Sequence, residues 1–192
     1  MPLPIGRTTL PLGGDVPAEA AASSAPLRTD APVDESLWSP QRVRAYRESL
    51  GREASPALAI LRIPKISLEV PVLDGTDDVT LNRAVGRIEG TARIDDEGNL
   101  GIAGHRDGFF RRLEEVKVGD TIDLETLSGR KSYRIDRITI VGPDDVSVLD
   151  PTPHRAITLV SCYPFWFVGS APKRYIVRAV PADEPEARTA AR

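Results

Sequence analysis

Residues 121–141, TIDLETLSGRKSYRIDRITIV, decide the fold class. Thr121 to Leu127 and Lys131 to Val141 are two β-prone arms about Ser128-Gly129, the pattern of a hairpin. In the second arm the apolar phase runs Tyr133 and Ile135, then Ile138 and Ile140. That slip by one residue predicts a bulge. Downstream, Ala156 to Ser161 and Tyr175 to Val180 form two more strands. Upstream, Ala57 to Ile63 and Ile66 to Val72 are aliphatic stretches that Pro64 and Pro71 confine to ends, bends or edges. Asn99 to Gly104 is a small-residue strand. Asp78 to Val85 is expected to make one or two helical turns closed by Gly86, and Phe109 to Val116 a brief helical turn. About eight short strands, few helices and no βαβ rhythm predict a mainly β chain closed into a barrel.

Around this barrel, expected over residues 57–182, the chain divides simply. Residues 1–37 carry six of the 17 prolines, with Ala, Gly and Ser and no hydrophobic period. Such a composition buries too little surface to offset ordering and predicts a disordered segment. Residues 38–56 hold a short helix: Ser39 as N-cap, Pro40 at the first helical position, Val43, Tyr46 and Leu50 on one face, Gly51 as the stop. Residues 183–192 read as a tail. The 192 residues suit one domain with an extension. A net charge of −3 with interspersed signs gives no pull towards nucleic acid. The longest apolar runs fall far short of the roughly 18 residues a membrane span needs, and the amino terminus has no signal-peptide pattern.

Thr158-Leu159-Val160-Ser161-Cys162 sets the single cysteine at the end of its strand. One thiol forms no internal disulfide, and two histidines complete no ordinary zinc site with it. It is either an inert core residue or a nucleophile. Between the two histidines, strand length chooses. With residues 156–161 extended, His154 lies about 26 Å from Cys162 at 3.3 Å per residue. His105, in Ala103-Gly104-His105-Arg106-Asp107-Gly108, stands at the end of its own strand among small residues. If the last two strands pair antiparallel, the exit of one lies beside the entry of the next, which brings Arg174 to Cys162. Arg178 is about 13 Å further along.

Cys162 in Thr-Leu-Val-Ser-Cys, His105 in Ala-Gly-His-Arg-Asp and Arg174 in Ala-Pro-Lys-Arg-Tyr-Ile-Val-Arg resemble the three catalytic motifs of the sortases, in the family's order. Ile63-Pro64-Lys65-Ile66, Pro71-Val72 and Gly101 to Gly108 are similar too, and the long Cys-to-Arg loop resembles class D members. Ser161 stands where the family usually has Thr. The amino-terminal membrane anchor that most sortases carry has no counterpart here.

The resemblance implies an eight-stranded barrel and a cysteine transpeptidase. Cys162 would attack a Leu-Pro-x-Thr type sorting signal and form a thioacyl enzyme. Protonated His105 would give its proton to the leaving amine, and Arg174 would hold the oxyanion. An amine on a cell-envelope acceptor would then resolve the thioester, on the extracytoplasmic face of the membrane. The partly apolar connection from Val141 to Arg155, with Val146, Val148 and Leu149, suits an extended peptide, and the aromatics from Tyr163 to Trp166 suit either one wall of the site or ordinary core packing. No cofactor is called for. The pairs Asp77/Asp78 and Asp144/Asp145 and the run Asp95/Asp96/Glu97 match no recognised calcium loop and suit caps and turns. Two alternatives share the residues: a cysteine protease or amidase in which water resolves the acyl enzyme, and a non-catalytic peptide-binding barrel.

Overall fold

The computed structural model describes residues 27–29, 32–167 and 169–183. Residues 121–141 form the expected hairpin, with Thr126 paired to Gly129 across Leu127-Ser128. Gly129 takes φ 124°, a conformation that favours glycine and lets the chain reverse in so few residues. The bulge lies where the apolar phase slips, between Ile135 and Arg137.

Among the described residues eight strands close on themselves: β1 (Ala59–Ile63), β2 (Leu68–Asp74), β3 (Val85–Arg87), β4 (Asn99–Gly104), β5 (Thr121–Thr126), β6 (Gly129–Val141), β7 (Ala156–Tyr163) and β8 (Lys173–Pro181). Their order around the barrel is β1-β2-β3-β4-β7-β8-β6-β5, and β5 pairs back onto β1, so no edge is left open. The pairs β2–β3 and β4–β7 are parallel, the rest antiparallel.

Alternation decides which residues enter the barrel. Leu61, Ile63, Val70, Val72, Ile102, Leu124, Ile135, Leu159 and Val177 are buried in one cluster, which Phe110 and Phe165 join from the loops. Each such side chain taken from water contributes roughly 1.5–3 kcal/mol. Pro71 sits in β2 opposite Ile60, just before the short parallel pairing of β2 with β3, which begins at Val72. Its missing N–H therefore breaks no rung there.

Three expectations need correction. Gly86 does not close a helix: α2 spans Asp78–Arg83, and Gly86 lies inside β3. A side chain there would collide with the Gly75 carbonyl, 2.0 Å from an ideal Cβ, so glycine serves close strand approach. In α1 (Pro40–Leu50) Ser39 caps the helix as expected, accepting from Arg42 N–H. However, Leu50 is exposed and Ser49 is buried, its hydroxyl donating to the Tyr46 carbonyl. The third concerns residues 32–37. Val33 packs on the core, and Glu35 accepts from Arg47 at 2.9 Å. Of the expected leading and trailing segments, residues 1–26, 30–31 and 184–192 lie outside the described residues. Among the described residues no helix is long and apolar enough to cross a membrane.

Candidate active site

β4 and β7 run parallel with Gly104 beside Ser161. The next residue of each chain is His105 and Cys162. On the other side of β7, Cys162 pairs directly with Arg174 of β8. Neighbouring strands lie about 4.8 Å apart, and residues in register point to the same face. Cys162 and Arg174 therefore share the barrel's outer face, and His105, one residue beyond the Gly104–Ser161 pair, completes a row across the ends of three adjacent strands. Two parallel strands ending together supply the first two members, and a hairpin-like return supplies the third.

The row is braced from below. Ser161 Oγ donates to the Gly104 carbonyl at 3.0 Å, a buried bond between the residues that precede Cys162 and His105. A small hydroxyl residue at 161 thus ties the two chemistry-bearing positions together. Gly104 faces the interior, and a Cβ there would stand 2.6 Å from the Phe110 ring. The ring packs against bare backbone one residue before His105.

His105 is partly buried. Desolvation, then the nearby Arg42 charge, push its imidazole from the usual range down to about 4, against the opposite pulls of Asp107 and Asp78. The imidazole is therefore neutral at rest near pH 7. Arg174 Nη1 donates to the carbonyls of Ala171 (3.2 Å) and Lys173 (3.0 Å), which lays the guanidinium along its own loop. These bonds use one of its three nitrogens. Arg178 sits elsewhere: its Nη1 is 3.6 Å from Asp136, the extra residue of the β6 bulge. His154 lies in the connection before β7, with its carbonyl accepting from Thr152.

Along β7 and its neighbours, Ala103, Val160 and Ile176 continue the outer face away from Cys162. The β6–β7 connection folds over this floor. Buried Asn99 holds it through Nδ2 bonds to the carbonyls of Val148 (3.1 Å) and Asp150 (3.2 Å), while accepting from Thr158. Leu149 approaches Gly101 so closely that a Cβ there would stand 2.9 Å from its methyl group. Val148 and Leu149 are half-buried against β4, and Val146 is 69% exposed. Beneath the connection a cavity of about 160 Å³ is lined by residues including Thr139, Val148, Ile176 and Arg178.

Tyr163 does not line this face. Residues alternate along β7, so Tyr163 falls on the core side with Ser161, one step out of phase with Cys162. Its ring stacks on Tyr175 and meets Phe165 edge-on, both at 6.0 Å.

Sequence reasoning missed two arginines that join the His105 loop to the Cys-to-Arg loop. Arg106 donates to the carbonyls of Pro164 (3.0 Å) and Gly169 (2.6 Å). Arg111 donates to the Phe165 carbonyl and stacks on the Trp166 ring, 3.4 Å from its centroid. The arginine after His105 in Gly-His-Arg-Asp was visible, but nothing local discloses a partner nearly sixty residues away. The acidic pairs take structural roles: Asp77 caps α2 through Val79 and Thr80, and Asp95 binds Lys131 and Ser128.

A family model described as Sortase domain matches residues 61–182. Sortase D of Bacillus subtilis is 39% identical over 132 residues, covering 68% of this chain and 67% of that protein. Sortase SrtE1 of Streptomyces coelicolor is 36% identical over 58% of this chain, and the match spans 37% of that protein. Among solved structures, a Sortase D5 transpeptidase of Clostridium perfringens superposes with a TM-score of 0.61 at 28% identity, covering 72% of this chain and 88% of the other. Sortase A of Corynebacterium diphtheriae does so at 0.62 and 29%, over 81% and 78%. By its barrel and its match over residues 61–182, the chain belongs to the sortases, a family of cysteine transpeptidases.

Proposed function

We propose that this chain cleaves a Leu-Pro-x-Thr type sorting signal through Cys162 and transfers the acyl group to an amine of the cell envelope. The observation that supports the reading is the Cys162–Arg174 pair across β7 and β8, with His105 at the adjoining end of β4. Neutral His105 takes the thiol proton as the peptide arrives, and Cys162 Sγ forms a bond to the Thr carbonyl carbon. Negative charge moves to the carbonyl oxygen, where Arg174 can meet it with a nitrogen not engaged by its own loop. The tetrahedral carbon then expels the amine of the following residue, which takes the proton from His105 and leaves a thioester. An incoming amine reverses the sequence, giving a new amide and returning the proton to sulfur. The proton is thus borrowed from Cys162 within one turnover rather than stored on His105, which fits a buried imidazole that resists protonation.

The outer face of β4, β7 and β8, roofed by Val148 and Leu149, suits the Leu-Pro portion of an extended peptide. The envelope location and the extracytoplasmic face follow from the substrate class rather than from any segment described in this chain.

The test is a fluorogenic Leu-Pro-x-Thr peptide with and without a small amine. Wild type should form a mass-shifted acyl enzyme on Cys162, and the amine should enter the product. Cys162→Ala should lose all turnover with its thermal unfolding nearly unchanged. A Cys162→Ala chain that still turns over sinks the mechanism. A product containing only water, whatever the amine, would make the chain a hydrolase.

A further inference from the structure

α1 lies outside the residues that match the family domain, yet its first turn reaches the turn that carries His105. Arg42 Nε donates to Asp107 Oδ1 at 3.1 Å, and Ser39 Oγ donates to Asp107 Oδ2 at 3.3 Å. The Arg42 side chain is 16% exposed and that of Asp107 35%, so the pair is largely shielded from solvent. Arg42 Nη1 also donates to Asn82 of α2. The contact is close: a Cβ on Gly108 would stand 3.4 Å from Arg42 Cδ and 3.5 Å from His105 Cβ. One residue further on, Phe109 is enclosed edge-on by Trp38 (4.9 Å) and Tyr46 (6.0 Å), both from the same appended segment. Asp107 and Phe109, which flank Gly108 in the turn after His105, are therefore held from outside the barrel.

We infer that Arg42 is a positioning residue for the chemistry: through Asp107 it fixes the turn that carries His105, making α1 a working part of the site. The proposal rests on His105 being the acid–base group described above. It goes beyond that reading because the barrel alone would lack this support. Ion pairs at exposed surfaces contribute little, whereas a shielded pair with a planar guanidinium fixes geometry as well as charge. The charged groups acting on His105 are Arg42 from α1, Asp78 from α2 and Asp107 from its own turn. Cys162 stands next to it in the row, with Arg174 beyond on β8. Arg42 and Asp107 act on the imidazole with opposite signs, and this makes the inference testable.

The chain has two histidines, so each imidazole can be followed by NMR through pH without a substrate. Arg42→Gln removes a repelling charge and leaves Asp107 uncompensated. The His105 midpoint should therefore rise by about half to one pH unit. Asp107→Asn removes the attraction, and the midpoint should fall. Loosening of α1 alone would hydrate the turn and move both variants upwards. With a peptide substrate, Arg42→Gln should lose about tenfold in kcat with KM held, and Arg42→Lys, which keeps the charge without the fork, should recover part of the loss. Shifts of opposite sign together with the kcat loss support the inference. Unmoved midpoints, shifts of one sign, or an unchanged kcat in Arg42→Gln overturn it. A wild-type chain with no transpeptidation would refute the proposed function instead, and the titrations would still report whether Arg42 and Asp107 are coupled to His105.

Discussion

Folding stability should depend on pH through His105 by a calculable amount. Its folded-state value is about 4, against about 6.5 for an unfolded chain. Because the folded value is the lower one, the unfolded state binds more protons between these limits, and stability falls as pH drops from about 6.5 to about 4. At pH 5 nearly every unfolded chain carries this proton and about one folded chain in ten does. Integrated from pH 7 to pH 5, the loss due to His105 is about 2 kcal/mol, a large part of an ordinary domain's margin. Carboxylates held low by partners, such as Asp95 with Lys131 and Glu125 with Arg130 and Arg62, add their own losses at more acid pH. His105→Gln isolates the single contribution, since Gln does not titrate. Urea unfolding of both proteins at pH 7 and pH 5, followed by tryptophan fluorescence, gives four free energies. The wild type should lose about 2 kcal/mol more than the variant over this interval. Equal losses would show that the imidazole is as easily protonated in the folded chain as in water, and the neutral resting state would have to be abandoned.

Two other outcomes follow from the site. Arg174→Lys keeps the charge but not the fork, so kcat should drop about a hundred- to a thousandfold with KM little changed. Arg178→Lys, held beside Asp136 away from the row, should cost far less, and steady-state kinetics with one peptide compares them. Gly104→Ala forces a methyl group to 2.6 Å from the Phe110 ring, so it should destabilise by about 1–3 kcal/mol. A thermal scan reads this, and a variant as stable as wild type would mean that the ring is not seated there.

Much of this was legible in the residues, and the failures have physical causes. The hairpin, its bulge and the pairing of Cys162 with Arg174 came from period and from strand-return logic, which act over short chain distances. β3 was missed because three residues carry no period, so Gly86 resembled a helix stop when it permits close strand contact. A strand ended at Ser161 leaves Tyr163 open between a wall and core packing. Carried two residues further, to Tyr163, the alternation places it inside. The arginine ties were hidden for another reason. Arg42 to Asp107 spans 65 residues and Arg106 to Pro164 spans 58, and no local pattern encodes such a pairing. Arg42 is further obscured because α1 reads only as a short helix before the barrel.

The Ser161–Gly104 bond joins residues 57 apart in the chain, and this separation bears on how the enzyme comes into being. The β5–β6 hairpin can form on its own within microseconds, while β4 and β7 can meet only after the intervening chain has been gathered. Long-range parallel pairing is slow because its loop-closure entropy is spent before any contact rewards it. Cys162 and Arg174, joined by a hairpin-like return, can meet early, but His105 completes the row only when β4 pairs with β7. A nascent chain passes through its early compact states with the thiol separated from its imidazole, and competence arrives in a single late event. Recovery of peptide turnover during refolding should lag behind recovery of the hairpin's secondary structure, making enzymatic activity itself the clock for barrel closure.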